Sequence, residues 1–381
     1  MMNVVMLLTN PFKPDPRVLY EAKTLSEHGY KVVILAWDRE CKYKKKETLN
    51  GIEIIRFHIP AGYATPYHFI KGALLFYLSV IKYCTKISAI NVVHAHDLDT
   101  LLPALIIKKM KKCKLIYDAH DDYSSMIREV TPGFISKIVE IFEQILISFS
   151  DGLIASSEAI GKHIFKNKKH VVIMNCKKLS EYNINENDIR TFRMRINPEN
   201  KFLIVYIGIL KIWTPLRYII EAVKRMDDVL LIIGGKGPHE KEILNMIKGC
   251  DRIKYVGWVV KKDIPLYVKS ADVIVLPSNS KKRYTKYSLP NKILEGLVAG
   301  KPIIAGKNTE GGRVVEECKC GFLCDFGDVD CLVEKLNILK NNKKLRDLFG
   351  KNAYECAVKK YNWSLMEKRL LSLYENLQRT L

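Results

Sequence analysis

The sequence predicts an α/β fold made of two doubly wound domains with parallel sheets. Short β-branched apolar runs alternate with longer amphipathic segments along the 381 residues, a pattern typical of repeated βαβ units. A polar stretch over residues 177–201 has no strand pattern and separates two series of such runs. We therefore predict an N-terminal domain over 1–185, a linker over 186–200, a C-terminal domain over 201–358, and a C-terminal helix, 359–381, that packs back toward the first domain.

The predicted strands are the runs that combine β-branched residues with apolar character on both faces. In the first domain they are residues 4–8, 31–36, 52–57, 92–95, 115–118, 152–155 and 171–174. In the second domain they are residues 202–207, 229–233, 253–256, 273–276 and 302–305. Sheets of this kind bind ligands beyond the carboxyl ends of their strands, so the candidate site residues are expected in the loops that follow these runs.

The composition is that of a folded, basic protein. With 48% hydrophobic and 27% charged residues it excludes disordered, collagen-like and disulfide-scaffold classes. The 62 Lys and Arg residues outnumber the 41 Asp and Glu residues, giving a net charge of +21, and the excess falls in two regions, 1–114 and 191–381. We expect one anionic partner for each region, and the clustered lysines of the first region suit anionic lipid headgroups. No helix-turn-helix, RNP or zinc signature points to nucleic acid.

The sequence contains no candidate for a membrane-spanning helix. Its longest uncharged apolar run, residues 72–81, is shorter than the roughly 20 residues that a span needs. The first residues lack the basic leader and cleavage site of a signal peptide. The ten cysteines suit free thiols in a reducing compartment. We therefore expect a cytoplasmic protein, with the inner face of the cell membrane as a further possible location.

No metal site is predicted. The cysteines within residues 318–331 lack the paired spacing of zinc ligands. The acidic pairs Asp97 with Asp99 and Asp121 with Asp122 are interpreted as loop and helix-start acids rather than as an oxygen-ligand cluster.

The most informative segment is YTKYSLPNKILEGLVAGKPIIA, residues 284–305. Pro290 suits the first turn of a helix and Gly300 suits its end, which predicts a helix over residues 291–299.

Three residues of this helix share the side opposite its apolar face: Lys292, Glu295 and Gly296. A lysine in the first turn of a helix favours a phosphate site, and a carboxylate one turn later can accept hydrogen bonds from a vicinal diol such as ribose. The alternative is a solvated salt bridge between the two side chains.

This segment resembles the nucleotide-sugar site of retaining GT-B glycosyltransferases of the family 4 type, and further motifs precede it in the family's order. They are PDPRVLYEAKTLSEHGYKVVILA, VVHAHDLDTLLPALI, LIYDAHDDY, DGLIASSEAI, YIGIL, LIIGGKGP, YVGWV and SADVIVLPS. The resemblance implies the GT-B fold, in which two Rossmann-like domains face each other across a cleft. It implies a retaining glycosyltransferase that moves a hexose or N-acetylhexosamine from a nucleotide sugar, with UDP expected, to a glycan or lipid-linked acceptor. It implies neither a metal nor a cofactor besides the nucleotide sugar.

The resemblance also gives roles to single residues. Glu295 matches the glutamate that holds the donor ribose, Lys292 lies where the helix contacts the diphosphate, and His120 matches the histidine beside the transferred sugar. These three form the expected catalytic set. The residues expected to bind the donor are Gly208, Lys211, Gly234, Gly235, Gly237, Gly257, Trp258, Val259, Asn291, Lys292 and Glu295.

The first domain contributes further candidates. Asp15 and Arg17 belong to a loop, Pro14 to Arg17, that is expected to shape the acceptor side. His94 and His96 alternate along a strand and so share one sheet face, and a structural role is expected for at least one of them.

Three positions depart from the family pattern. Tyr287 stands where the first glutamate of a pair is usual, and Ile209 and Pro215 stand where the family commonly has cations for the diphosphate. Lys211 and Lys292 are expected to replace those cations, with Arg217 or the residues 281–283 as additional candidates. The departures keep a second function open, a nucleotide-sugar-binding protein or inactive scaffold without turnover. A sugar-nucleotide epimerase of the same fold is the third.

An apolar segment over residues 69–87 is flanked by lysines. It predicts either a helix that lies in a membrane interface or a helix that packs on the sheet of the first domain, and the sequence leaves both open.

Overall fold

The computed structural model describes residues 2–13, 15–61, 66–129, 131–211 and 214–380, and only the backbone of residues 66–69. Pro14 of the predicted acceptor-side loop and the side chain of Phe69 lie outside the described part. The chain divides into two compact units. The first unit comprises Met1–Asn175 and Met366–Leu381, and the second comprises Cys176–Leu365.

The first unit is built on an eight-stranded sheet. Its strands are β1 (Asn3–Leu8), β2 (Lys31–Asp38), β3 (Lys46–Leu49), β4 (Ile52–His58), β5 (Val92–His96), β6 (Lys114–Ala119), β7 (Gly152–Ala155) and β8 (Val171–Val172). Its helices are α1 (Pro16–Glu27), α2 (Pro66–Thr85), α3 (Leu98–Lys111), α4 (Tyr123–Arg128), α5 (Gly133–Ile147) and α6 (Glu158–Ile160). The strand order is β3-β4-β2-β1-β5-β6-β7-β8, and every pair is parallel except β3 with β4.

The connections place the helices in two layers. The chain moves one way from β1 to β2 and the other way from β4 through β5 and β6 to β7. Because parallel crossovers are right-handed, α2, α3 and α5 lie on the face opposite α1. In the centre of the sheet β1 and β5 are buried almost throughout, which explains their apolar character on both faces. His96 at the end of β5 pairs in register with Asp118 near the end of β6, so the polar ends of the two strands meet.

The second unit is also a parallel α/β structure. Its strands are β9 (Phe202–Ile207), β10 (Val229–Gly234), β11 (Ile253–Tyr255), β12 (Ile274–Leu276), β13 (Ile303–Gly306) and β14 (Gly321–Cys324). Its helices are α7 (Glu186–Ile196), α8 (Leu216–Lys224), α9 (Glu240–Ile247), α10 (Ile264–Ser270), α11 (Arg283–Tyr287), α12 (Asn291–Ala299), α13 (Glu310–Cys318), α14 (Val329–Asn341) and α15 (Lys343–Lys359). The strands run β11-β10-β9 and β12-β13-β14, and a bridge between Ile204 and Val273 joins the two sets.

The boundary between the units differs from the predicted one. It falls at residue 176 rather than 185, and the predicted linker over 186–200 begins with α7, which belongs to the second unit. Ile189 and Phe192 of this helix are buried, and the ring of Phe192 lies 4.8 Å from that of Tyr267. Two apolar anchors one turn apart and an ion pair between Arg193 and Asp272 thus dock a helix whose composition is mostly polar.

The C-terminal helix α16 (Trp363–Gln378) joins the first unit from Met366 onward. Arg369 donates from Nη1 to the carbonyl oxygen of Val172 over 2.9 Å, and Tyr374 is fully buried. The last helix is therefore part of the core of the first unit.

The cysteines differ from the expectation of free thiols. Disulfides join Cys318 to Cys356 and Cys324 to Cys331. The two cysteines of the first pair are 38 residues apart in sequence, so their spacing alone does not predict that they pair. Among the described helices, none is both long and apolar enough to cross a membrane.

Gly321 at the start of β14 allows a close approach to β13. A Cβ atom there would overlap the carbonyl oxygen of Ile303, the register partner of Gly321. We expect Gly321→Ala to lower the free energy of unfolding by about 1–3 kcal/mol, because a strand pair must shift to make room. Gly133→Ala is the control, since nothing lies within 4 Å of a Cβ atom at that position. Urea unfolding followed by circular dichroism measures both, and equal midpoints for the two variants would contradict the packing argument.

Candidate functional site

His120 directly follows β6 and lies between two carboxylates. Its Nε2 is 3.2 Å from Oδ2 of Asp118, and its Nδ1 is 3.4 Å from Oδ2 of Asp97. Burial opposes a charge on the ring, yet Asp97 and Asp118 raise the pKa of His120 to about 10. His120 is therefore an imidazolium at neutral pH.

Asp97 has an unusual backbone conformation. Its φ of 64° and ψ of 165° fall in a region that is almost restricted to glycine and that costs about 1–3 kcal/mol for other residues. Although it precedes α3, its side chain makes no capping hydrogen bond. Instead, its Oδ1 accepts from the backbone N–H of His120 over 3.0 Å. Asp97 thus stands at the start of a helix as predicted, but its carboxylate contacts His120 rather than capping α3.

Arg17 holds the other carboxylate of this pair. Its Nη2 donates to Oδ1 of Asp118 over 2.6 Å, and its Nε donates to Oδ2 over 3.2 Å. Burial acts against ionised Asp118, but Arg17 and His120 hold the pKa of that carboxyl well below its usual range. Arg17 also donates to the carbonyl oxygen of Ile173, after β8. One guanidinium thus connects α1, the end of β6 and the segment beyond β8.

Arg17 lies in α1 rather than in the predicted loop. Only 5% of Arg17 is exposed, because its position at the start of α1 directs the side chain toward Asp118 in the interior. Asp15 caps the same helix by accepting from the backbone N–H of Val18 over 3.2 Å.

A buried cluster lies behind His120. Potential ligand atoms of Glu21, His94, His96 and Asp118 all lie within 4.8 Å of one another, and these donor types can bind a divalent metal. However, Nε of Arg17 lies 3.3 Å from Oε1 of Glu21 while the same guanidinium pairs with Asp118. The positive charge that this cluster needs is thus supplied by Arg17.

The charge balance of the cluster leaves a proton on Glu21. Burial and the neighbouring Asp118 raise the pKa of Glu21 to about 8, although Arg17 opposes the shift. Burial lowers the pKa of His94, whose Nδ1 is 2.9 Å from the hydroxyl of Tyr374 on α16. The rings of His94 and His96 stack with their centres 4.2 Å apart. His94 is therefore a structural residue that connects the sheet to α16.

In the second unit, the predicted glycines meet beyond the carboxyl ends of β9 and β10. The N–H of Gly208 donates to the carbonyl of Gly234 over 2.9 Å, and the N–H of Gly235 donates to the carbonyl of Gly257 over 2.7 Å. A Cβ atom at Gly235 would overlap the carbonyl of Gly208, and one at Gly237 would overlap the neighbouring backbone. Three loops therefore touch backbone to backbone.

Lys292 lies over this arrangement of loops. It is in the first turn of α12, and its Nζ is 4.5 Å from the centre of the Tyr206 ring. A Cβ atom at Gly208 would collide with the same ammonium group. A positive charge, the N-terminal turn of a helix and a glycine loop are thus close together, which is the arrangement that binds phosphate groups.

Glu295 has a partner that the sequence did not indicate. Its Oε1 lies 3.7 Å from Nζ of Lys177, and Lys177 donates to Oδ1 of Asn291 over 3.3 Å. Glu295 and Lys177 are largely buried, with 14% and 11% of their side chains exposed. Gly296, in contrast, packs against Ile303 and so does not share the open side of α12.

The remaining donor candidates differ in exposure. Trp258 is 61% exposed, whereas Val259 beside it is buried. Gly257 before them has a φ of 73°, which suits glycine. Lys211 begins the segment that leads to α8, where its carbonyl oxygen accepts from the hydroxyl of Thr214 over 2.6 Å. Tyr287 is the last residue of α11. Because it is a tyrosine, this position offers no carboxylate.

Sequence reasoning missed two functional candidates, Asp97 and Lys177. Asp97 had a usable signal, because it directly follows a strand end that neighbours the strand before His120. Lys177 had none, since it is 114 residues from Asn291 and stood in a stretch interpreted as a domain boundary.

Comparison with known proteins agrees with the parallel α/β fold of the two units. Residues 17–176 match the family model "Glycosyltransferase Family 4", and residues 188–356 match "Glycosyl transferases group 1". The structure is similar to sucrose-phosphate synthase from Thermosynechococcus elongatus, with a TM-score of 0.86, 15% identity and 100% of both chains covered. It is also similar to Anabaena HepE in complex with UDP-glucose, with a TM-score of 0.77, 17% identity and coverage of 99% of this chain and 100% of that one.

The two parallel α/β units and these structural similarities define a GT-B fold. The chain belongs to the family 4, group 1 glycosyl transferases, whose two models together match it from residue 17 to residue 356 apart from a short gap.

Among curated relatives, the sulfoquinovosyl transferase SQD2 of Arabidopsis thaliana is 24% identical over 285 residues, covering 72% of this chain and 54% of that protein. Spore coat protein SA of Bacillus subtilis is 26% identical over 197 residues, covering 48% of this chain and 51% of that protein. The chain thus spans about half the length of these relatives.

The charge on His120 should depend on Asp97. We expect Asp97→Asn to lower the pKa of His120 by at least about one unit, because asparagine keeps the shape of the side chain but removes the charge that raises the pKa most. NMR titration of the histidine ring resonances measures the change. Asp99→Asn is the matched control, because the Asp99 carboxylate accepts from Thr9 instead. An unchanged His120 pKa in Asp97→Asn would show that Asp97 does not hold the charge.

Glu21 should make stability depend on pH. Its pKa is about 8 in the folded protein and lower in the unfolded chain, so the folded state holds the extra proton and loses stability as pH rises toward 8. We expect Glu21→Gln to match the wild type near pH 5 and to be more stable at pH 9 by about 1–3 kcal/mol. Thermal unfolding across that range measures the difference. A gap between the two proteins that stays constant with pH would refute the buried proton.

Proposed function

We propose that this chain is a retaining glycosyltransferase that moves a hexose or N-acetylhexosamine from a UDP-sugar to a glycan or lipid-linked acceptor, without a metal ion. The observation that carries the proposal is the position of Lys292. Its ammonium lies over the glycine loop at Gly208, and Glu295 follows one turn later on the same helix. This places a cation for a diphosphate and a carboxylate for a ribose diol on one rigid element.

The proposed donor binds the second unit. The diphosphate contacts the N-terminal turn of α12 and Lys292, and the glycines 208, 234, 235 and 237 allow it to approach the backbone. Gly257, Trp258 and Val259 face the base. Lys177 holds Glu295 and Asn291 in place and adds a second positive charge to α12, which compensates for the cations missing at Ile209 and Pro215. The solved HepE complexes with UDP and UDP-glucose support a UDP-sugar.

The proposed reaction breaks the bond between the sugar and the diphosphate and forms the new bond on the same face of the sugar. The acceptor hydroxyl loses its proton to the departing diphosphate, whose charge Lys292 stabilises. His120 contributes from the first unit as a hydrogen-bond donor to the sugar. Because its pKa is about 10, it carries a proton at neutral pH and cannot serve as the base. The site residues supply the positive charge, so the proposal includes no metal.

The most specific part of the proposal is that the acceptor is linked to a lipid. Among the relatives is a phosphatidyl-myo-inositol mannosyltransferase of Mycobacterium leprae, 29% identical over 150 residues, whose name specifies a lipid acceptor. A lipid acceptor requires contact with a membrane surface, for which we propose the cytoplasmic face. Asp15, at the start of α1, is the residue proposed to face the acceptor.

The test is UDP release from a panel of UDP-sugars, with a membrane lipid extract as acceptor and EDTA present. We expect activity in EDTA and a loss of about 10²–10³ in kcat/KM for Lys292→Ala and for Glu295→Ala, because each removes a charge that contacts the donor. Lys344→Ala and Glu316→Ala are matched controls, exposed residues of α15 and α13 in the same unit. Full activity in both site variants would refute the site assignment, and activity that requires a divalent ion would refute metal independence.

The same experiment separates the other candidate functions. Tyr287, Ile209 and Pro215 favour a binding protein without turnover, because each replaces a charged residue common in the family. UDP binding in calorimetry without transfer to any acceptor would support that function. Conversion of the donor sugar with no acceptor present would support an epimerase.

A further inference from the structure

Three neighbouring helices of the first unit expose apolar side chains to solvent. Helix α3 packs against both α2 and α5, on the face of the sheet opposite α1. We call their exposed side the apolar face. It consists of Ile70, Leu74, Leu75 and Leu78 on α2, Leu102, Ile106 and Met110 on α3, and Phe134, Ile138, Ile141, Phe142 and Ile145 on α5.

Helix α2 is apolar on two sides. Phe76, Val80 and Cys84 are buried beneath it, which matches the prediction of a helix packed on the sheet. Its opposite side is apolar as well, and Leu78 there is 64% exposed. The two alternatives that the sequence left open for this segment are therefore compatible, since one stripe packs on the protein and the other is exposed.

Helix α5 repeats this arrangement, which the sequence analysis did not identify. Leu146 and Ile147 are buried, while Phe134 is 67% and Ile138 is 60% exposed. An apolar surface that extends over three helices is larger than the scattered exposed side chains of ordinary soluble proteins, and it marks an interaction site.

The charged side chains on these helices indicate which kind of partner the apolar face binds. Lys71 and Lys82, three turns apart on α2, are exposed on the side of Leu78, and Lys109 and Lys137 are exposed on α3 and α5. Of the acids on the described part of these helices, Glu143 is buried against the hydroxyl of Tyr117, and Asp99 accepts from Thr9. Only Glu140 remains near the apolar face, where it lies 3.7 Å from Lys137.

We propose that the apolar face docks on an anionic lipid bilayer, with the three helices lying in the plane of the interface. Apolar side chains flanked by lysines suit acyl chains beneath anionic headgroups. A second copy of the chain fits less well, because a twofold interface would bring the lysines of the two faces together. The proposal specifies the surface for the membrane contact that a lipid-linked acceptor requires, but it rests on these side chains and not on the transfer reaction.

Flotation with lipid vesicles tests the proposal without any activity measurement. We expect the protein to float with vesicles that contain phosphatidylglycerol and to bind vesicles of pure phosphatidylcholine at least tenfold less. The double variant Leu78→Glu, Ile138→Glu should lose at least tenfold in partitioning. Its control is Leu348→Glu, Val358→Glu, which changes two exposed apolar residues of α15 in the second unit. Circular dichroism and thermal unfolding establish that both variants are folded.

The contribution of the lysines is tested separately. Lys71→Glu with Lys137→Glu should reduce binding to anionic vesicles by roughly 25-fold at low salt, about fivefold for each lysine, and less as salt increases. Lys344→Glu with Lys351→Glu on α15 is the control. Failure of the wild-type protein to float with anionic vesicles would overturn the proposal. So would a dimer in light scattering that Leu78→Glu, Ile138→Glu converts to a monomer, because a second copy would then be the partner. UDP release from the donor, on transfer to a water-soluble acceptor, stays measurable in either case.

Discussion

The first unit depends on one buried guanidinium. Arg17 pairs with Asp118, lies 3.3 Å from the protonated Glu21 and donates to the backbone beyond β8. A single positive charge thus keeps Asp118 ionised in an interior where an unpaired charge would be very costly. Asp118, ionised by this pairing, can then support the charge on His120. The protonation of Glu21 and the charge of His120 are therefore parts of one electrostatic balance rather than separate properties.

The candidate site of the second unit is built from closely packed backbone rather than from buried charges. Its glycine loops pack so closely that side chains are excluded, and α12 places Lys292 over them and Glu295 beside Lys177. The first unit thus holds a positive charge on a histidine, and in the second unit a lysine lies over closely packed backbone.

Residue patterns predicted most of the helices and strands, because the type and the ends of each element depend on residues within or next to it. Helix α12 begins and ends as Pro290 and Gly300 indicate, and the buried strands follow the β-branched runs. The resemblance to the family indicated the glycines, and Pro290 placed Lys292 in the first turn of α12. Contacts between distant segments had no such signal. Arg17 appeared to be a loop residue until α1 turned it inward, and Lys177 reaches α12 only in the folded chain. Helix α7 was not predicted because its composition is mostly polar and only two of its residues, Ile189 and Phe192, are buried.

The strained backbone at Asp97 has a consequence for engineering. Glycine accepts a φ of 64° and a ψ of 165° without penalty, so a library screened only for resistance to heat would favour glycine at this position. Such a selection would remove the carboxylate beside His120 while the fold became more robust. A thermostable version of this chain should therefore keep Asp97. A substitution there that stabilises the fold would remove a charge that raises the pKa of His120.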